Sequence, residues 1–98
     1  MHKLFMVEFE LPAFLTEEFI QLIPEHRRKT NELLAEGTIK AYSLSMDRSK
    51  LWVVMTATTE VDAMDQLLEL PLTKYMTPEV SELAFHNSEE MALHFSLN

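Results

Sequence analysis

A strand that is apolar on both of its faces is predicted at Lys50-Leu51-Trp52-Val53-Val54-Met55-Thr56-Ala57. A strand with one solvated face normally alternates apolar and polar residues, whereas the centre of this one, Leu51 to Met55, is apolar throughout. The polar stretch before it, Met46-Asp47-Arg48-Ser49, has the composition of a hairpin turn. Thr38 to Ser45 is therefore predicted as the other strand of a hairpin.

The helix that precedes this hairpin carries signals at both ends. Thr16 is a suitable N-cap because acidic residues follow it at the positive end of the helix dipole. The helix is expected to run to about Glu36, where Gly37 can terminate it. Pro24 lies inside this run, so we expect it to bend the helix or to split it into two pieces.

The remaining segments complete the order βαββαβ. The predicted bounds are Lys3 to Glu10 for the first strand, Thr58 or Thr59 to about Leu70 for the second helix, Val80 to His86 for the last strand, and residue 87 onwards for a polar tail. This order predicts one α+β domain over residues 1–98, a ferredoxin-like sandwich with both helices on one face of an antiparallel sheet.

The apolar third strand also predicts association with a second copy. Two helices cover only one face of the sheet, so the other face needs a partner. The same sheet in a second chain is the simplest cover, which predicts a homodimer with its sheets face to face. The apolar positions of the tail, Met91, Leu93, Phe95 and Leu97, could fold across that partner or could fray.

Composition excludes several functional classes. The chain has 98 residues with 8 basic and 16 acidic side chains, and the resulting net charge of −8 argues against nucleic acid as a partner. No apolar run is long enough to span a membrane, and we expect a cytoplasmic protein. There is no cysteine for a disulfide or a thiolate nucleophile. A single glycine, Gly37, excludes the glycine-rich phosphate-binding loops.

His26 is the strongest candidate for chemistry. It lies within the apolar stripe of the first helix, between Ile23 and Leu33, and Thr30 lies one turn further on the same line. Polar side chains in a buried stripe either hydrogen-bond inside the core or line a cavity. His26 could therefore be a general acid or base near neutral pH, or a core histidine bonded to a backbone carbonyl or to Glu8.

Glu8 is the second catalytic candidate, because it interrupts a strand that is otherwise apolar on both sides. Desolvation would raise the pKa of its carboxyl group and suit it to act as a base, whereas a position at the wet rim of the sheet would leave it without that role.

Four further residues are candidates for substrate binding. Thr30 and Glu8 are alternative groups to orient His26, and Tyr42 and Trp52 could wall an apolar site or belong to the core or an interface. Arg48 could bind a carboxylate, or it could be a turn residue paired with Asp47. His86 and His94 have no metal-ligand spacing with any carboxylate, so we expect no metal and no cofactor.

The C-terminal half contains an extended motif. Residues 70–83 read Leu-Pro-Leu-Thr-Lys-Tyr-Met-Thr-Pro-Glu-Val-Ser-Glu-Leu, and His86 follows. This stretch resembles the signature L-P-L-x-x-Y-M-x-x-E-V-x-x-L-x-x-H of muconolactone isomerases. Leu11-Pro12 and Glu36-Gly37-Thr38 extend the resemblance over roughly residues 3 to 88.

The resemblance implies a dimeric α+β barrel whose dimers assemble into larger rings. It also implies a cofactor-free reaction that moves a proton within an unsaturated, carboxylate-bearing lactone. The family's proposed acid/base carboxylate corresponds to His26, its hairpin glycine and basic residue to Asp47 and Arg48, and its third-strand aromatic residue to Trp52. Two of these positions depart from the family, because His26 replaces a Glu and Asp47 replaces the glycine.

Two classes of function remain open from the sequence. One is a muconolactone isomerase-like enzyme with His26 as acid/base, Glu8 or Thr30 orienting it and Arg48 holding the substrate's anion. The other is a non-catalytic dimeric module that binds a small ligand or serves mainly to associate. Related barrels also host cofactor-independent oxygenases, so the fold alone leaves the reaction undecided.

Overall fold

The protein folds into one antiparallel sheet with two helices in the order βαββαβ, as the sequence predicts. The computed structural model describes residues 2–87. The elements are β1 (Lys3–Glu10), α1 (Glu17–Glu36), β2 (Ile39–Leu44), β3 (Lys50–Ala57), α2 (Glu60–Leu68), a short 3₁₀ turn (Thr73–Tyr75) and β4 (Thr77–Glu82). The strand order is β2-β3-β1-β4, so the first strand lies inside the sheet. This is the α+β ferredoxin-like arrangement.

Strand β1 organises the core because it pairs with β3 on one side and with β4 on the other. Its alternate residues Phe5, Val7 and Phe9 are fully buried, whereas Leu4, Met6 and Glu8 between them are only half-buried. The buried set faces the helices and joins Val53 and Met55 of β3. The face of the sheet that holds Phe5 is called the inner face here, and the opposite one the outer face.

Strand β2 contains an irregularity that changes which of its side chains face inward. Ile39 pairs with Met55, but Ala41 pairs with Val54, so one extra residue is inserted between them. The bulge shifts the alternation by one position, and Tyr42 opposite Val53 therefore lies on the inner face with Ile39.

Helix α1 has the predicted caps. The Thr16 hydroxyl accepts a hydrogen bond from the Phe19 N–H at 3.1 Å, and Gly37 ends the helix with a φ of 85°. Pro24 lies inside one continuous helix, so the predicted split does not occur. Pro24 removes one backbone hydrogen bond, but Ile23 just before it and Leu33 beyond it both pack on the core and hold the two halves in line.

The segment between α2 and β4 differs most from the prediction. Helix α2 ends at Leu68 instead of near Leu70, and β4 begins at Thr77, at the Thr77-Pro78 pair that opens the predicted last strand, but ends at Glu82 instead of His86. The cause is tertiary. Leu70 and Leu72 leave the helix to enter the core, and β4 follows its pairing with β1, in which Glu10 is opposite Thr77. Pro78 is accommodated because β4 is an edge strand.

Two further predictions concern the C-terminal tail and the absence of a membrane-spanning segment. The four apolar tail positions, with His94, lie outside residues 2–87. Within those residues, no helix is both long and apolar enough to cross a membrane.

Replacing Gly37 tests the end of α1. An added Cβ would meet only Lys40 Nζ at 3.7 Å, an ordinary contact, so the penalty comes from the left-handed backbone alone. We expect Gly37→Ala to lower the free energy of unfolding by about 1 kcal/mol in urea titrations. Gly37→Asn should lose less, because asparagine adopts this conformation more readily. Equal losses for the two variants would contradict this explanation.

Candidate active site

A cavity of about 940 Å³ lies between α1, the inner face of the sheet and the segment that follows α2. Its volume is in the range of small-molecule sites in proteins. Most of its wall is apolar, including Phe9, Phe19, Ile23, Ile39 and Val53. Of the six predicted site residues, the cavity brings together His26, Thr30, Tyr42 and Arg48.

His26 projects from α1, and its ring is bound by the segment that follows α2. Its Nδ1 accepts a hydrogen bond from the backbone N–H of Leu72 at 3.1 Å. Burial lowers the pKa of the imidazole below its ordinary value of 6.5. The direction of this shift favours the neutral ring, and a neutral ring whose Nδ1 accepts this bond carries its proton on Nε2. The sequence-based alternative of a bond from His26 to a backbone carbonyl or to Glu8 is replaced by this contact.

Thr30 lines the cavity but does not orient the His26 ring. It is buried, and its hydroxyl donates a hydrogen bond at 2.7 Å to the backbone carbonyl of His26, one turn earlier in the same helix. Such a bond to a residue four positions back is a common way for threonine to satisfy its hydroxyl in a helix. The oxygen lone pairs of Thr30 remain as acceptors.

Arg48 lies in the β2–β3 hairpin beside the cavity. Its φ is 63°, an uncommon conformation for a residue other than glycine. Asp47 accepts hydrogen bonds at 2.7 Å from the hydroxyls of Ser45 and Ser49 and at 3.0 Å from the Ser49 N–H. These bonds lower the pKa of Asp47 to about 2. Among the described residues no ion pair joins Arg48 to Asp47, so the predicted alternative of a paired turn is not formed.

Tyr42 reaches the cavity because of the bulge in β2. Its ring is 40% exposed, and its hydroxyl donates a hydrogen bond at 2.9 Å to Asn31 Oδ1 on α1. This contact places Tyr42 at the open side of the cavity, as a bridge between the sheet and the helix.

Glu8 and Trp52 lie on the outer face and take no part in this cavity. The indole Nε1 of Trp52 donates a hydrogen bond at 2.8 Å to Glu8, and Lys50 Nζ lies 3.6 Å from the same carboxylate. Both residues occupy strand positions opposite in phase to Phe9 and Val53. The predictions that Glu8 orients His26 and that Trp52 walls the same pocket as Tyr42 are therefore wrong within one chain.

Three charged residues of the cavity, Asp47 of the hairpin described above, Arg27 and Glu10, were not among the predicted site residues. Arg27 precedes Arg28 and Lys29 in a run that reads as a solvated helix face, yet it lines the cavity next to His26. Its neighbour Arg28 instead pairs with Glu25 and Glu32. Glu10, at the end of β1, lies along the same wall. The sequence offered one signal for Arg27, because the side of this basic run nearest the apolar stripe could reach a pocket and bind an anion; Glu10 had none.

The described part of the chain holds no group of three or more His, Asp or Glu side chains arranged to bind a metal ion. The charged side chains of the cavity are instead two arginines and two carboxylates, which line it together with His26.

Comparison with known proteins assigns a family to this arrangement. A family model described as muconolactone delta-isomerase matches residues 3–89. The chain belongs to the muconolactone delta-isomerase family. A crystal structure of muconolactone isomerase at 3.3 Å resolution superposes with a TM-score of 0.69 at 27% sequence identity, covering 88% of this chain and 93% of that chain. No curated protein gives a significant match. The resemblance carried by the motif from Leu70 to His86 is thus confirmed.

The positive φ of Arg48 can be tested by separating the free-energy cost of its left-handed backbone from the contribution of its guanidinium group. Arg48→Ala and Arg48→Gly both remove the guanidinium group, but only glycine relieves the left-handed backbone. We expect Arg48→Gly to be about 1 kcal/mol more stable than Arg48→Ala in urea unfolding, and no less stable than the unsubstituted protein. A glycine variant that is less stable than the alanine variant would show that the turn does not hold this strain.

Proposed function

We propose that this member of the muconolactone delta-isomerase family is a cofactor-free isomerase that shifts a proton within a small, unsaturated, carboxylate-bearing lactone. The observation that carries the proposal is the placement of His26, whose Nδ1 accepts the Leu72 N–H, in the wall of a mostly apolar cavity that also contains two arginines. The cavity volume of about 940 Å³ accommodates a substrate of this size.

Substrate binding is assigned to the cavity's cationic and apolar parts. Arg48, on the hairpin, and Arg27, on α1, supply positive charge to a substrate carboxylate. These groups matter because the chain as a whole carries a net charge of −8, which repels anions. The lactone ring packs against the apolar wall around Phe19 and Ile39.

The chemical step requires a donor to the lactone carbonyl and a carrier for the proton. His26 donates a hydrogen bond from Nε2–H to the carbonyl oxygen, which gains negative charge as a ring C–H bond breaks. The proton passes to a carboxylate and returns to another carbon of the same conjugated system, so no electrons leave the substrate. Glu10 is assigned this role, since Asp47, with a pKa of about 2, is a weak base.

Binding without turnover is the second candidate function, and the hydrogen bond to His26 favours it. In the family the corresponding position carries a carboxylate that can take up a proton. Here the Nδ1 lone pair is already used by Leu72, so His26 accepts a proton less readily than a carboxylate would. A protein that kept the cavity and lost the reaction would have this feature.

Turnover of muconolactone by the purified protein, followed by ultraviolet absorbance, tests the first candidate. We expect turnover, and we expect His26→Ala to reduce kcat by about 100-fold or more, the usual effect of removing a donor to a developing oxyanion. Glu10→Gln should also lower kcat, with a smaller change in KM. The matched control is Asp65→Asn, an exposed substitution on α2 away from the cavity.

The outcomes separate the candidates. Turnover that is unchanged in His26→Ala, with the variant shown to be folded, contradicts the role given to His26. Binding of muconolactone by calorimetry without any turnover supports the binding module. Oxygen consumption with a quinol-like substrate would point to the cofactor-independent oxygenases of the same barrel.

We also propose that the protein is a homodimer joined through the outer face of the sheet. The support is the apolar character of this face. Leu4 and Met6 of β1 lie there beside Trp52 and Val54 of β3, with Met6 opposite Val54. The two helices cover only the opposite face. Assembly of such dimers into larger rings follows only from the family resemblance.

A charge at the centre of the outer face tests the dimer. The chain mass is 11.4 kDa, so sedimentation equilibrium should give twice that value for the unsubstituted protein. Met6→Lys should shift the protein towards monomer, since an unpaired charge would be buried in the interface. Val61→Lys, on an exposed position of α2, is the matched control and should leave the mass unchanged. A monomeric unsubstituted protein would refute the proposal.

A further inference from the structure

The contact between Leu72 and His26 joins two distant parts of the chain. The Leu72 N–H, in the segment after α2, donates to Nδ1 of His26 on α1 at 3.1 Å. Leu72 is buried, with 5% of its surface exposed, so its backbone N–H has little access to water. Leu72 also lines the cavity, which places the contact in the wall of the proposed site.

This contact discriminates among the three protonation states of the imidazole. A neutral histidine has one N–H donor and one nitrogen acceptor, and a charged histidine has two donors. Either a proton on Nδ1 or a charged ring would set two N–H groups against each other and leave the Leu72 N–H without an acceptor in a buried place. The form with its proton on Nε2 avoids both costs.

Among the described residues, no side chain forms a hydrogen bond with the His26 ring that would favour another protonation state. The ionisable groups that line the same cavity are Glu10, Arg27, Asp47, Arg48, Tyr42 and Tyr75. Asp47 is bound by two serine hydroxyls, and the hydroxyls of Tyr42 and Tyr75 donate to Asn31 and Glu18. The arginines oppose a positive charge on His26, and burial lowers its pKa in the same direction.

We propose that the backbone N–H of Leu72 is a positioning group that fixes His26 as the Nε2–H tautomer, so that the cavity recognises its ligand through an oxygen acceptor, a carbonyl or a carboxylate, at His26. The recognition part rests on the proposed function, because it takes the cavity to be the ligand site. A carboxylate at this position would accept hydrogen bonds from a ligand. In this tautomer the free nitrogen of His26 can only donate a hydrogen bond, so the cavity favours a ligand with an acceptor at this position.

Two substitutions separate the two nitrogens of His26. In His26→Asn, the side-chain oxygen can take the place of Nδ1 and keep the bond from Leu72, but the donor to the cavity is lost. In His26→Gln, the side-chain amide can reach the position of Nε2 and donate to a ligand, but the acceptor for Leu72 is lost. We expect His26→Asn to keep its urea midpoint and bind muconolactone at least 10-fold more weakly. We expect His26→Gln to bind more tightly than His26→Asn and to be less stable.

The tautomer itself is measured without any ligand. Nitrogen-15 NMR of the imidazole at pH 7 should show a protonated Nε2 and an unprotonated Nδ1, and titration should give a pKa below 6.5. Because the unfolded chain then binds a proton more readily than the folded one, the unsubstituted protein should lose stability relative to His26→Asn as the pH falls below about 6.5. Because the two proteins differ only at residue 26, the difference between their pH profiles reports on His26.

Each outcome decides a separate claim. A proton on Nδ1, or a charged ring at pH 7, overturns the inference whether or not the protein is an enzyme. Binding by His26→Asn equal to that of the unsubstituted protein, or no binding of muconolactone to the latter, overturns the recognition part. The Nε2–H tautomer together with tight binding and no turnover supports the inference and refutes only the isomerase.

Discussion

The burial of alternate residues along β1 is the constraint on which the other features of the structure depend. Phe5, Val7 and Phe9 are almost completely removed from water, and the strand that carries them pairs with a neighbour on both sides. Because side chains alternate across a strand, their burial assigns every other residue of β1 to the outer face. Antiparallel pairing then carries the same division to β3. Apart from Glu10 at the end of β1, these two strands give the cavity apolar residues, so its other polar groups come from α1, the hairpin and the segment after α2.

The arginines that line the cavity differ from Arg28 in the residues that they contact. Arg28 pairs with two acidic residues on the exposed side of α1 and contributes little to anything beyond that helix. Arg27 and Arg48 line the cavity, and within residues 2–87 neither forms an ion pair. In a chain with twice as many acidic as basic side chains, the cavity is balanced instead, with Arg27 and Arg48 against Glu10 and Asp47.

The family resemblance implies two departures, Asp47 in place of a glycine and His26 in place of a carboxylate, and they have different physical consequences. At the hairpin, Asp47 replaces a glycine and binds two serine hydroxyls and a backbone N–H, so the turn is held by hydrogen bonds while Arg48 takes the left-handed conformation. At the helix, His26 replaces a carboxylate and accepts a bond from Leu72. The first change preserves a turn beside the cavity. The second puts a ring whose Nδ1 is already used by Leu72 where the resemblance implies a carboxylate.

The sequence by itself determined the elements whose signals are local. The bounds of β1 and β3 and the Thr16 and Gly37 caps all follow from patterns within a few residues, because alternation and capping act over one turn or one strand. It also singled out His26 and Arg48. Only the tertiary structure decided that Pro24 leaves α1 whole and that a bulge turns Tyr42 inward. The tertiary structure alone also decided that Glu8 and His26 lie on opposite sides of the sheet. The partner of His26 is a backbone N–H 46 residues further along the chain, and every residue but proline has such a group. No side-chain pattern could mark it, because the fold alone brings it to the ring.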